Sequence, residues 1–186
     1  MAERKGKLAV ISGPSGAGKS TICREVIERT GAFLSVSCTT RKPGNAEVDG
    51  KDYWFVGRDD FEKRIADNGF IEYANVYGNY YGTPRQPVEA AVAAGKIVIL
   101  EIDVQGGLQV KQQYPEAVMV FIMPPTVEIL LSRIENRGRG EDQASKKRRI
   151  EAAQREIEMA RKAYDHFVVN DVLERAIDEV VHIVQL

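Results

Sequence analysis

Apolar runs along this chain alternate with stretches of helical spacing. Leu8–Ile11 is a short continuous apolar run, and Lys19–Arg29 carries its apolar residues at helical intervals. Phe33–Cys38 predicts a second strand. Lys96–Asp103 (K-I-V-I-L-E-I-D) and Val118–Met123 (V-M-V-F-I-M) are near-continuous apolar runs, the pattern of strands buried on both faces of a parallel sheet. Pro124 and Pro125 stop the latter, and Thr126 predicts an N-cap for a helix through about Glu135. His166–Asn170 predicts the last strand and Leu173–Val184 the last helix. Strand–helix alternation implies right-handed crossovers and a parallel sheet covered by helices on both faces, an α/β fold. Ligands of such sheets sit at the carboxyl ends of the strands. The glycine-rich turn after Ile11, the acids Glu101 and Asp103, and Asn170 all fall at such ends.

Two segments break the alternation. Thr39–Thr83 is rich in Gly, Asn, Asp and Tyr, with strand-like pieces at Tyr53–Val56, Phe70–Tyr73 and Tyr80–Tyr81 and a short helix near Asp59–Asp67. It predicts a small β-rich insertion mounted on the sheet. Asn136 to about Lys147 has glycines, alternating charge and no apolar face. It predicts a mobile flap before a long helix ending near Ala163.

Composition narrows the class. The 186 residues fit one domain with a sizeable core, and 44% hydrophobic with 28% charged is ordinary for a water-soluble globular chain. A net charge of −1 gives no global attraction to nucleic acid or to an anionic membrane. No apolar run approaches a membrane span, and the start M-A-E-R-K-G-K lacks a secretory apolar segment, so the expected compartment is the cytoplasm. Cys23 and Cys38 make neither a disulfide framework nor a metal spacing. With only His166 and His182 present, a histidine-based metal site or triad is not expected.

The chemistry concentrates first at Val10–Thr21, V-I-S-G-P-S-G-A-G-K-S-T, which contains G-x-x-x-x-G-K-S from Gly13 to Ser20. A strand precedes this motif and a helix follows it, the context that a P-loop requires. Backbone amides of Gly13, Pro14, Ser15, Gly16, Ala17 and Gly18 enclose a hollow, proline contributing shape rather than a donor, and the positive end of the helix faces it. Lys19 can reach the β/γ oxygens of a nucleoside triphosphate, the Ser20 hydroxyl can ligate Mg2+, and Thr21 continues the helix start. Glu101 and Asp103 face this loop from a neighbouring strand end, where a carboxylate steadies Mg2+ and its waters.

A phosphoryl acceptor must be read elsewhere. Ser37, Arg41, Tyr53, Glu72, Tyr81 and Thr83 in the insertion suit a nucleoside monophosphate. Arginine and tyrosine hold phosphate oxygens, and a carboxylate accepts the two adjacent N–H donors on the Watson–Crick edge of guanine, a pair adenine lacks. The same residues would serve equally as ordinary sheet residues, and spacing alone does not separate the two. Arg137 and Arg139, with Arg148 behind them, can swing onto a triphosphate, but K-K-R-R at 146–149 also fits a solvated helix face. Asn170 and Asp171 either touch the donor base or cap the last helix, and capping is the simpler role.

The blocks S-G-P-S-G-A-G-K-S-T, S-V-S-C-T-T-R, G-K-D-Y-W-F-V, F-I-E-Y-A, G-N-Y-Y-G-T, I-L-E-I-D-V-Q-G, R-G-R-G and V-V-N-D occur in that order. Together they resemble the guanylate kinase family from about Leu8 to the final helix. The resemblance implies a P-loop three-layer αβα core (about 1–36, 84–135 and 150–186), a GMP-binding subdomain (about 37–83) and a mobile lid (about 136–149). It implies ATP + GMP ⇌ ADP + GDP with Mg2+. Ser37, Glu72 and Thr83 would read guanine, with Asp103 and Glu101 on the guanine side. Arg41, Tyr53 and Tyr81 would hold the GMP phosphate. Lys19 and Ser20 would serve ATP and Mg2+, Arg137 and Arg148 would be lid and support arginines, and Asn170 would lie near adenine. Lys19, Arg41, Arg137 and Arg148 would then be the catalytic set. Use of dGMP and the oligomeric state stay open. The family has a second arginine three residues after Arg41, whereas this chain has Gly44, so one bidentate partner of the phosphate is missing. A ribosyl-bisphosphate phosphokinase on the same scaffold should lack the guanine-reading set. A non-catalytic guanylate-kinase-like module should have a degraded P-loop, and this P-loop is complete.

Overall fold

Strands built from alternating buried residues on both faces need two apolar layers to cover them, and the chain supplies both. A computed structural model describes residues 6–76, 78–137 and 143–186. In chain order the elements are β1 (Lys7–Ser12), α1 (Lys19–Thr30), β2 (Phe33–Leu34), β3 (Cys38–Thr39), β4 (Trp54–Phe55), α2 (Arg58–Ala66), β5 (Phe70–Val76) and β6 (Asn79–Pro84). They continue with α3 (Arg85–Ala93), β7 (Ile97–Glu101), α4 (Val104–Gln113), β8 (Val118–Met123), α5 (Val127–Arg137), α6 (Gln143–Ala160), β9 (His166–Val169) and α7 (Leu173–Gln185). Five strands form one sheet in the order β2-β7-β1-β8-β9, all parallel. Successive residues of β1 go to opposite faces. Ala9 and Ile11 join Ile22 and Val26 of α1 and Ile177, Val180 and Val184 of α7. Leu8 and Val10 join Val88 of α3, Val110 of α4, and Ala160 and Tyr164 on the other side. This is the three-layer αβα arrangement expected from the apolar runs.

The second sheet has the order β4-β3-β6-β5, with β5 and β6 an antiparallel pair and β3 bridging β6 to β4. Its own small core stacks Phe61 of α2 between Phe70 and Tyr80, ring centroids 4.3 and 5.2 Å apart.

The run Phe33–Cys38, expected as one strand, is divided between the sheets. Phe33 and Leu34 extend the edge of the core sheet beside β7, while Cys38 and Thr39 belong to the second sheet. The three residues between carry the chain from one to the other. The strand read at Lys96–Asp103 stops at Glu101, because Asp103 is already the N-cap of α4, its Oδ1 accepting the Gly106 amide at 2.7 Å. Thr126 caps α5 as expected, its Oγ1 accepting the Ile129 amide at 3.2 Å. The long helix stops at Ala160 and is followed by turns rather than reaching Ala163.

Candidate active site

β1 delivers its last side chain, Ser12, to a buried crossing point. The Tyr164 hydroxyl donates to Ser12 Oγ at 2.6 Å, and Ser12 Oγ donates to the Ile102 carbonyl at 2.8 Å, with the Asp103 carbonyl at 3.3 Å. The end of the first strand is thereby tied to the start of α4. The glycine-rich turn follows. Gly18 is the N-cap of α1 with φ 94°, a left-handed conformation that a Cβ would strain. Its space is also closed, since a Cβ there would collide with the Asn170 amide. Asn170 is buried at the end of β9, and its Nδ2 donates to the Ala17 carbonyl at 2.8 Å. It therefore fastens the phosphate loop to the last strand and does not cap α7. Asp171 accepts the Val172 amide at 2.6 Å and pairs with Arg175 one turn on.

Lys19 folds back over the loop, donating to the carbonyls of Gly13 and Pro14. Burial lowers its pKa, while the carboxylates of Glu156, Glu101 and Asp103 oppose that shift. An ammonium that burial has partly desolvated is suited to an anionic ligand. Ser20 Oγ donates to Glu101 Oε1 at 2.6 Å across the sheet. The hydroxyl proton is committed to the carboxylate, so the oxygen lone pairs remain for a hard cation. Among the described residues no group of three or more His, Cys, Asp or Glu could hold a metal alone.

On the other side of α4, Glu72 of β5 stands opposite Thr83 of β6, whose hydroxyl donates to Glu72 Oε1 at 2.6 Å. Glu72 is buried, and burial, reinforced by the charge of Asp103, pushes its pKa up to about 7 against the opposing Thr83 bond. The second carboxylate oxygen lies against α4 where Gly106 has no side chain, and a Cβ there would sit 2.6 Å from it. Gly107, one step on, leaves room in the same way for the Tyr164 hydroxyl. The first turn of α4 is thus the joint of the site. Asp103 caps it, Ser12 of the P-loop strand reaches its start, and Glu72 rests on its glycine.

Arg41 lies beyond β3. Its guanidinium donates to Glu47 twice, at 2.9 and 2.7 Å, to the Lys42 carbonyl at 2.8 Å and to the Tyr81 hydroxyl at 3.2 Å. The rings of Tyr53 and Tyr81 meet edge to face at 5.9 Å, and burial raises the Tyr53 pKa. Ser37 is half-buried, with its carbonyl accepting the Trp54 amide at 2.9 Å. Arg139 lies outside the described residues, and Arg137 enters only as the last backbone position of α5. Arg148 lies in α6.

Three residues not singled out from sequence also face this region. Arg133 on α5 donates to the Asn170 carbonyl at 3.0 Å. Glu156 on α6 is the strongest charge acting on Lys19. Arg149, not Arg148, shares the helical face of Ala153, Glu156 and Ala160, positions four, seven and eleven residues apart. Helical phase is the signal that would have found it. A cavity of about 1210 Å3 opens at the opposite edge of the core sheet, lined by Lys7, Leu8, Val118 and His166, and holds no part of this constellation.

A parallel αβα sheet with a P-loop at its carboxyl edge, and a small sheet bringing a buried carboxylate to the same edge, defines a P-loop nucleotide-binding enzyme fold. The family model described as Guanylate kinase matches residues 5–186. The chain is 49% identical over 177 residues to the guanylate kinase of Clostridium acetobutylicum, covering 95% of this chain and 84% of that protein. It is 50% identical over 175 residues to that of Gloeobacter violaceus, covering 94% and 84%. The crystal structure of guanylate kinase from Anaplasma phagocytophilum superposes with a TM-score of 0.79 at 32% identity, covering 98% of this chain and 86% of that one. The chain belongs to the guanylate kinase family.

Proposed function

We propose that the chain catalyses ATP + GMP ⇌ ADP + GDP by direct in-line transfer. The observation that carries this reading is the joint at α4, where the guanine-type carboxylate Glu72 and the P-loop strand end at Ser12 meet on one helix turn. Two substrates held on either side of a rigid turn are held at a fixed separation, and phosphoryl transfer asks chiefly for placement and charge stabilisation.

In this reading the amides of residues 13–18 and Lys19 take the triphosphate of ATP. Ser20, with Glu101 behind it, would hold Mg2+, which supplies charge neutralisation at the β/γ oxygens when bound. Glu72, with Thr83 and Ser37, accepts the N–H pair of guanine, while Asp103 holds the α4 turn on which Glu72 rests. Arg41, Tyr53 and Tyr81 take the phosphate of GMP. Its oxygen attacks the γ-phosphorus, the bond to the β–γ bridging oxygen breaks, and ADP leaves with that electron pair. No residue becomes phosphorylated. The core, GMP-binding and lid divisions at about 37–83 and 136–149 then have separate jobs, the lid bringing Arg137 and an arginine of α6 to the transferred group. Arg149 suits that last role better than Arg148, because its helical face carries Glu156 toward Lys19. Asn170 acts on ATP through the loop that it fastens. Among the described residues no helix is long and apolar enough to cross a membrane, and both thiols are free and buried, in keeping with a cytoplasmic enzyme of small-molecule partners.

A coupled ADP-release assay with GMP, AMP, CMP and UMP tests this reading. Turnover confined to GMP (and dGMP) is expected. Turnover with none of the four, or equal turnover with AMP, refutes it.

A further inference from the structure

The guanidinium of Arg41 has five N–H donors, and the structure accounts for four of them. One hydrogen on each terminal nitrogen goes to Glu47, Nη1 to Oε2 at 2.9 Å and Nη2 to Oε1 at 2.7 Å. This is the end-on fork of an arginine–carboxylate pair. The outer hydrogen of Nη1 goes to the Lys42 carbonyl, and Nε–H goes to the Tyr81 hydroxyl at 3.2 Å. The rings of Tyr53 and Phe55 lie 5.5 and 5.8 Å from the guanidinium carbon. The donor left open among the described residues is the outer hydrogen of Nη2, on the side edge that it shares with Nε. Tyr81 accepts from Nε there, so its own proton is free to donate beside that edge.

Glu47 is itself held. Its Oε2 accepts the Gly44 amide at 2.6 Å, and its own amide donates to the Gly44 carbonyl at 3.2 Å. A Cβ at position 44 would stand 3.2 Å from that carboxylate oxygen, so glycine gives the turn its closest approach. Both side chains are about one-third exposed, at 31% and 29%. The pair is sheltered enough to be oriented and still open to a ligand. An occluding carboxylate would occupy the edge that faces the tyrosines. This one occupies the end edge and leaves the outer Nη2 hydrogen beside Tyr81 unobstructed.

We propose that Glu47 is a positioning residue, which through the Gly44–Glu47 turn aims the outer Nη2 hydrogen of Arg41, together with the Tyr81 hydroxyl that Nε holds, at the phosphate of GMP. With Gly44 in place of a second arginine, both carboxylate oxygens bind one guanidinium, and that single oriented guanidinium with its tyrosine takes the phosphate. This inference rests on the reading of Arg41 as an acceptor-phosphate ligand.

The test measures steady-state kinetics for Glu47→Gln, Glu47→Asp and Arg41→Ala, with binding of GMP and of guanosine by calorimetry. For Glu47→Gln the KM for GMP is expected to rise about tenfold, the loss of one good charge-assisted bond's worth of order, with kcat changed less than about threefold. Guanosine, which lacks the phosphate, should bind as before. Glu47→Asp, too short to fork both nitrogens from the same turn, should move KM in the same direction and decides the matter if the glutamine variant does not fold. A lower or unchanged KM overturns the proposal, and so does equal weakening of GMP and guanosine, which would mark a merely structural role. If Arg41→Ala leaves the KM for GMP unchanged, the underlying reading of Arg41 fails. If Arg41→Ala raises it while both Glu47 variants do not, the positioning role alone fails.

Discussion

Lowering the pH from 8 to 6 should weaken guanine recognition at Glu72. Its pKa is pushed up to about 7, so the carboxyl is mostly ionised at the upper pH and mostly protonated at the lower. Only the ionised form accepts both guanine N–H donors, and the ionised fraction falls about tenfold across this range. The phosphate of GMP titrates with a second pKa of about 6, so the clean probe is guanosine, measured by calorimetry. Guanosine affinity should fall about tenfold in the parent protein, with proton uptake on release. In Glu72→Gln it should be weak and flat with pH. The same group acts on stability with a fixed sign. The raised pKa means that the folded state keeps a proton between about 4.5 and 7 that the unfolded chain has lost. Stability therefore falls as pH rises through that window. A shift from 4.5 to about 7 corresponds to about 3 kcal/mol, so Glu72→Gln should be more stable than the parent at pH 8 by up to that amount and not at pH 4.5. Guanosine affinity that stays flat in the parent, or a pH slope retained in Glu72→Gln, would refute the reasoning.

Other expectations follow from single contacts. Lys19→Ala should lose about 3–4 kcal/mol in kcat/KM, the worth of one charge-stabilising donor, with folding intact by circular dichroism. Retained activity would remove Lys19 from the transition state. Gly106→Ala places a methyl 2.6 Å from Glu72 Oε2 and should raise the KM for GMP more than that for ATP; equal changes would refute the contact. Gly44→Arg should lower the KM for GMP by supplying a second guanidinium to the phosphate, at the cost of a shift of a few tenths of an ångström where its Cβ meets Glu47 Oε2 at 3.2 Å. An unchanged or higher KM would show that the missing arginine is not missed.

The core strands are legible because a strand buried on both faces has to be apolar throughout, and β8, with β1 from Leu8 to Ile11, is. The P-loop was legible because its glycines, lysine and serine follow such a strand directly. The helices α3 and α4 were not. α3 carries a proline at its third position and mostly alanine afterwards, and α4 opens V-Q-G-G, which resembles a loop. Those glycines are there for tertiary reasons, one leaving room for Glu72 and the other for Tyr164, and local spacing does not encode either. Phe33–Cys38 reads as one strand because Phe33, Leu34, Val36 and Cys38 are apolar, while the change of sheet at residues 35–37 depends on partners far along the chain. Glu47 is not legible in the sequence because an acid in a polar loop carries no periodicity; its fork to Arg41 exists only in the folded chain.

The bond from Asn170 to the carbonyl of Ala17 joins residues 153 positions apart. A ribosome making this protein releases the phosphate loop well before its fastener. Until β9 docks, Ala17 lacks that donor and the loop's shape is unsecured. Competence to grip a nucleotide should therefore wait on the docking of β9.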